Sequence, residues 1–356
     1  MSPKGEYRVG VAGATGAVGS TILDVLAERR FPASEVRPLA SERSAGSKVA
    51  FAGSELEVLE MTDESIQGLD LMLSSAGGKV SSEWAPKWIE AGAVVVDNTS
   101  YWRMHEDVPL VVADVNDDAV EDHNGLVANP NCTTMQMMVA LKPIVDAAGI
   151  ERLIVSTYQS VSGTGRKAIE ELREQAKAVL DGKPVQPEVY PHQVAFNVFP
   201  QAETFTEGDD YTTEERKVMA ETRKILGLSE DVGISATCAR VPVITGHSES
   251  VNVQTAKKIS PEECRELLSD APGLVVLDDP ADGIYPVPIA AAGRDEVLVG
   301  RIRRDPSHDR CLNLWVVGDN LRKGAATNAV QIAELLDQRD LVRLPAGAAA
   351  ISNPAG

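Results

Sequence analysis

Along the first third of the chain, short continuous apolar runs alternate with stretches of helical apolar spacing. YRVGVAGA (7–14) is an apolar run that ends in glycine, and TILDVLAERR (21–30) sets Ile22, Leu23, Val25 and Leu26 at helical intervals. Further apolar runs follow at VRPLA (36–40), LDLMLSSA (69–76), AVVVDN (93–98) and LVVADV (110–115), with a helical stretch at WAPKWIEAG (84–92). Strands covered on both faces read as unbroken apolar runs. The pattern therefore predicts a parallel sheet flanked by helices.

After Cys132 the texture changes. Helices are predicted at 133–149, 166–182 and 212–228, and strands at 151–161, 234–243 and 250–258. Thr212 with Glu215, and Ser260 ahead of Pro261, Glu262 and Glu263, are helix starts that the side chains themselves can cap. EVLVGRIRR (296–304) and CLNLWVVGDN (311–320) alternate like antiparallel strands with one wet face, and a last helix runs over about 322–339. A Pro-rich connection fills 183–200. The expected architecture is α/β: a Rossmann-type nucleotide-binding domain, then an α+β domain with a mixed or antiparallel sheet. The expected bounds are 1–131 with 322–345 for the first, 132–321 for the second, and a flexible tail at 346–356.

Composition narrows the function classes. At 356 residues the chain can form two domains with substantial cores, and a net charge of −19 argues against a nucleic-acid partner, which needs a basic face. No apolar run of about 18 residues is present, so no membrane span is expected. The start of the chain lacks a secretory apolar stretch, which makes a cytoplasmic location the expectation. Cys132, Cys238, Cys264 and Cys311 form no CxxC pair, so neither a metal site nor a disulfide framework is expected.

Two stretches carry candidate chemistry. GVAGATGAVG places Gly10, Gly13, Gly16 and Gly19 between a strand and a helix, where glycine lets the backbone approach a pyrophosphate at a helix N-terminus. Ala14 takes the place of one glycine of the strict dinucleotide pattern, and such a turn also fits a strand–turn–helix with no ligand. Ser41, Arg43 and Ser44, after the second strand, suit the 2′-phosphate of NADP. Glu42 is the opposing signal and must point away. NPNCTT (129–134) puts Cys132 at a turn-to-helix junction, where the helix end favours the thiolate; the alternative is a buried core thiol. A thiolate there can add to an aldehyde, and the adduct can be oxidised to a thioester. His247, at a turn between two strands, is the candidate acid–base partner. His105, His123, His192 and His308 lie in polar segments and read as solvated.

In order and spacing, GVAGATGAVG, SERSAG, SSAGG, DNTSYWR, NPNCTT, YQSVSGTG, ETRKILG, CARVPVITGHSES and DNLRKGAA resemble the aspartate-β-semialdehyde dehydrogenases across nearly the whole chain. The resemblance implies Cys132 as nucleophile, His247 as acid–base catalyst and Gln159 as the residue orienting the substrate. It implies Arg103 and Lys224 at the phosphate, Glu221 at the substrate amine, Arg240 on the α-carboxylate, and Asn131 beside them. Gly13, Thr15, Gly16, Ala17, Val18, Ser41, Arg43, Ser44, Ser162, Gly163 and Asn320 are the implied NADP contacts. The substrates would be L-aspartate 4-semialdehyde and phosphate, in a homodimer with a tetramer left open. The rivals are another phosphorylating aldehyde dehydrogenase, such as N-acetylglutamyl-phosphate reductase, or a catalytically inactive NADP-binding relative. ETRK and ARVPVITGHS argue against the first rival; an inactive relative should lack the thiol or the histidine, and this chain has both. One departure is Arg166-Lys167, where many relatives carry small residues.

Overall fold

The computed structural model describes residues 6–345, and the expected tail at 346–356 lies outside them. The chain divides into two compact units: Cys132–Gly324, and the chain before Cys132 together with that from Ala325.

In the first unit, β1 (Tyr7–Ala12), α1 (Ala17–Glu28), β2 (Ala33–Ala40), the hairpin β3 (Lys48–Phe51) and β4 (Ser54–Glu57), β5 (Leu59–Glu60), β6 (Leu71–Ser74), α2 (Gly78–Glu90), β7 (Val94–Asp97) and β8 (Leu126–Ala128) follow one another. Six of these strands form a sheet in the order β5-β2-β1-β6-β7-β8, every pair parallel. The order reverses between β1 and β6. In open α/β sheets that switch point, at the carboxyl ends of the strands, is where ligands bind. The chain returns to this unit late. Ala329, Val330, Ile332, Ala333 and Leu336 share one buried cluster with Val9, Val11, Leu71, Leu73, Val94 and Val96.

The predicted strand at 110–115 does not form. Leu110 makes one bridge to Ala128, and the next residues turn, with Asp114 at φ 71°. Their backbone groups find side-chain partners in place of a strand neighbour. Asn328 accepts from the Ala113 N–H (2.9 Å) and donates to the Val111 carbonyl (2.9 Å), while Asn116 accepts from Val112 N–H (2.9 Å). The small β8 takes the edge position.

The second unit runs α3 (Cys132–Ala148), β9 (Ile150–Gln159), α4 (Arg166–Leu180), α5 (Thr213–Leu226), β10 (Gly233–Arg240), β11 (His247–Thr255), α6 (Pro261–Ser269), β12 (Leu274–Val276), α7 (Pro288–Ala291), β13 (Val297–Arg304) and β14 (Cys311–Gly318). Its sheet is mixed, in the order β10-β9-β11-β14-β13-β12. α3 packs against β9, β11, β13 and β14 and is flanked by α5 and α6. Residues 133–141 of α3 are buried on every side, the polar Thr133, Thr134 and Gln136 among them. The capping boxes form at Thr212–Glu215 and at Ser260–Glu263.

The chain leaves this unit after Gly324, not at residue 322. Arg322 pairs with Asp295 (2.8 Å), and the N–H groups of Arg322 and Gly324 are bound to Asp319. The last helix, α8 (Thr327–Gln338), follows a short π-helical turn over Arg322–Ala326.

Asn328→Ala would leave the Ala113 N–H and the Val111 carbonyl without their partner. A loss of about 2–4 kcal/mol in chemical denaturation is expected.

Candidate active site

The first unit carries a turn shaped for an anion. Gly13 adopts φ 80°, and a Cβ there would lie 2.7 Å from the Ser75 carbonyl, so only glycine fits this close pass between the ends of β1 and β6. A Cβ on Gly19 would meet the Gly13 carbonyl at 2.1 Å, which lets α1 sit tight against the turn. α1 begins after Gly16 with no side-chain cap and no acidic residue in its first turn. Its opening N–H groups at Ala17 and Val18, beside Thr15, thus suit a pyrophosphate. Past β2, Glu42–Ser44 forms a short 3₁₀ turn with Ser41 at its N-cap position, on which Arg43 is exposed and has no ion-pair partner among the described residues. The donor set fits a nicotinamide dinucleotide.

The turn before the thiol is held by amides. Asn129 donates to the Ala325 carbonyl (3.0 Å) and to Asn98, and accepts from Asn328 (2.6 Å). Arg103, buried, donates Nε to the Asn129 carbonyl (2.9 Å) and Nη2 to the Asn98 carbonyl (2.7 Å), so its guanidinium is anchored to this turn. Asn131 is buried at the turn's end, and Cys132 opens α3.

Within the second unit, Cys132 Sγ lies 3.2 Å from His247 Nε2. His247 is the first residue of β11, not part of the preceding turn as expected, and it is fully buried. Its Nδ1 accepts from the Ser160 backbone N–H (3.0 Å), and Ser160 Oγ is also 3.0 Å away. Ser160 and Ser162 hydroxyls both donate to Asn320 Oδ1 (3.0 and 3.1 Å), which also accepts from Gly246 N–H (2.9 Å). Gln136, one turn into α3, donates to the His247 carbonyl (3.2 Å). Burial, reinforced by the Arg240 guanidinium, holds His247 well below the usual histidine range. Burial raises Cys238 and Cys311, and pushes Cys264 up to about 12.

Arg240, at the end of β10, donates Nη1 to the Ser160 carbonyl (2.6 Å); its Nε has no partner among the described residues. It stands over the Tyr190 ring at 5.5 Å. A Cβ on Gly163 would lie 3.3 Å from the His247 ring and 3.9 Å from Arg240 Nη1, so backbone alone occupies that place. Gln159 donates to Glu214 (2.8 Å), a contact that ties it to α5. Glu221 is fully buried on α5, and burial lowers Lys224 against the opposing pull of Glu221.

Comparison with known proteins is decisive at this point. Residues 8–123 match the profile described as the NAD binding domain of semialdehyde dehydrogenase, and 141–323 match its dimerisation domain. An aspartate-semialdehyde dehydrogenase of Aquifex aeolicus (strain VF5) is 55% identical over 340 residues, covering 94% of this chain and 99% of that protein. The chain belongs to the aspartate-semialdehyde dehydrogenase family. A crystal structure of aspartate semialdehyde dehydrogenase II from Vibrio cholerae, complexed with ASA, matches at TM-score 0.90 and 46% identity, over 94% of this chain and 99% of that one. The Candida albicans enzyme with NADP matches at TM-score 0.73 and 27% identity, over 94% and 99%.

Within this family frame, the structure brings together Cys132, His247, Gly163, Arg240, Ser162 and Asn320, all from the second unit. Ser160, Gln136 and Glu249 escaped sequence reasoning. His123 is not solvated as expected: it is buried, its Nδ1 accepting from Gly125 N–H (3.1 Å), and burial lowers it.

Glu249 shares the inward face of β11 with His247 and is fully buried. Neither carboxyl oxygen has a properly formed hydrogen bond among the described residues, although the Gln136 amide favours ionisation. Burial dominates and holds this carboxyl well above the usual range. The unfolded chain then ionises first as pH rises, so this residue costs stability above about pH 4.3, the ordinary glutamate value. Glu249→Gln should therefore raise Tm by an amount that is larger at neutral pH than at pH 5 and vanishes below about pH 4, read by thermal scans at each pH.

Proposed function

We propose that this chain catalyses the NADP-dependent, phosphorylating oxidation of L-aspartate 4-semialdehyde to 4-phospho-L-aspartate, and its reverse in amino-acid biosynthesis. The single observation that carries the reading is the Cys132 Sγ at the head of α3, 3.2 Å from His247 Nε2. The helix end favours negative charge on sulfur, which makes Cys132 the nucleophile on the aldehyde or, in reverse, on the acyl phosphate. Both directions pass through a thioester on Cys132. His247 acts as the acid–base catalyst at the reacting oxygen, and backbone N–H groups at the start of α3 would stabilise charge developing there.

Gly13, Thr15, Gly16, Ala17 and Val18 would hold NADP, with Ser41, Arg43 and Ser44 at its 2′-phosphate and Ser162, Gly163 and Asn320 as further contacts, and the cofactor would supply the hydride exchange. Arg240, with Nε uncommitted, suits a bidentate grip on the substrate α-carboxylate. Glu221 takes the substrate amine, Arg103 and Lys224 take the phosphate, and Gln159 and Asn131 orient the substrate. The match of the second unit to a dimerisation domain supports a homodimer. The four free thiols suit a reducing cytoplasm, and among the described residues no helix is long and apolar enough to cross a membrane.

Phosphate-dependent NADPH formation from L-aspartate 4-semialdehyde is the decisive assay. Cys132→Ser should lower kcat by about 10³-fold or more while the chain stays folded. Faster turnover of N-acetylglutamate semialdehyde or glyceraldehyde 3-phosphate would overturn the substrate assignment. Arg43→Ala should cut the ratio of kcat/KM for NADP over NAD by about tenfold, mostly through KM.

A further inference from the structure

We infer that Glu214 is a positioning residue that locks the side-chain amide of Gln159 with its Nε2 end toward α5, so that Gln159 meets the substrate in one fixed orientation. The inference rests on the reaction proposed above, in which Gln159 orients the substrate. Sheet register places that amide. Gln159, the last residue of β9, is the parallel partner of Arg240 in β10. On its other side β11 pairs Ser248 with Tyr158, and the same register carried one step further sets His247 abreast of Gln159. Paired residues of neighbouring strands share a face. This end of the sheet therefore carries Arg240, Gln159 and His247 side by side, all three buried.

An amide donates from one end and accepts at the other. A glutamine reversed about its last bond would present the opposite polarity to the substrate. Glu214 removes that freedom. Its carboxylate, which can only accept, lies 2.8 Å from Gln159 Nε2, and both side chains are buried. Gln159 Oε1 then takes the other branch, 3.5 Å from the Thr157 hydroxyl.

The anchor is itself held in place. Glu214 Oε2 lies 3.7 Å from Lys217 Nζ, one turn along α5, and Lys217 also pairs with Glu203. Glu214 and Glu221 are both buried, and their spacing puts them on one face of α5, about two turns apart. That helix packs on β10. One rigid element thus carries both the group assigned to the substrate amine and the anchor of Gln159. Glu214 also stands in the first turn of α5, where the helix dipole favours an acid whatever it touches. Aspartate at this position keeps the charge and the dipole interaction, but withdraws the carboxylate from Gln159 by one methylene.

The test compares phosphate-dependent NADPH formation from L-aspartate 4-semialdehyde by the full-length chain, Glu214→Asp, Gln159→Ala and the double variant. Glu214→Asp should keep Tm within about 2 °C and lower kcat about tenfold, with KM for phosphate and NADP within about twofold. In the Gln159→Ala background the same change should cost less than about twofold, because the group it acts through is gone. Additive losses, or a Glu214→Asp enzyme as fast as the unmutated one, would overturn the inference. Glu214→Gln, whose amide oxygen still accepts from Nε2, should keep kcat within about threefold. A loss as large as that of the aspartate variant would show that charge and not placement matters, and would overturn it too. A readout free of catalysis is ¹⁵N NMR of the glutamine-labelled protein, with Gln159 assigned by difference against Gln159→Ala. Its two Nε2 hydrogens should exchange slowly with solvent, and faster in Glu214→Asp. Fast exchange in the unmutated protein refutes the lock even if Glu214→Asp fails to fold. An unmutated protein that forms no NADPH would sink the proposed reaction and leave the NMR result standing.

Discussion

The chain reaches its thiol through a turn held by asparagine amides. Asn129 reaches Asn98, Asn328 and the Ala325 carbonyl at once, and Arg103 grips the Asn129 carbonyl. Each bond contributes only about 1 kcal/mol net, but a buried amide left unpaired costs about 1–3 kcal/mol. That asymmetry makes the turn nearly all-or-none, since sliding it by one residue would strand several polar groups. Cys132 follows this turn as the first residue of α3, and within the second unit its sulfur lies 3.2 Å from His247, the first residue of β11. Hydrophobic packing alone could not set a register this sharply, because apolar contacts are non-directional.

How much of this could be read from residues alone follows from how local each determinant is. The β1–α1–β2 alternation and the capping boxes at Thr212 and Ser260 are written in neighbouring residues, and they form where expected. The stretch 110–115 is apolar enough to be a strand, but its backbone partners include a side chain some two hundred residues later, Asn328. His123 sits among polar neighbours in sequence and is buried in space. Cys132 and His247 stood out through their motifs. Ser160 did not, although it lies inside YQSVSGTG, because serines are common and its importance comes from sheet register: β9 ends at Gln159, and its neighbour β11 begins at His247. Glu249 was equally silent, since nothing in its neighbours foretells a fully buried carboxyl.

The chain's net charge of −19 says little about the field near the thiol. Inside the second unit the side chains that matter are a buried Arg240, a partly desolvated Lys224 and carboxyls committed to neighbours, such as Glu214 to Gln159 and Glu215 to the Cys238 N–H. Surface acidity is screened within about 8–10 Å at physiological salt, whereas buried groups are not. A strongly acidic protein can thus keep buried cations such as Arg240 that its surface charge does not cancel.

The contrast among the four thiols has a practical side. Cys238, Cys264 and Cys311 are sealed and held in the protonated form by burial, while Cys132 alone is partly accessible. Reactivity follows the thiolate and access to it. The native chain is thus already a single-thiol protein in chemical terms. A small electrophile or a fluorescent maleimide would label one defined position per chain without any cysteine being engineered away, and the amount bound would count intact sites directly.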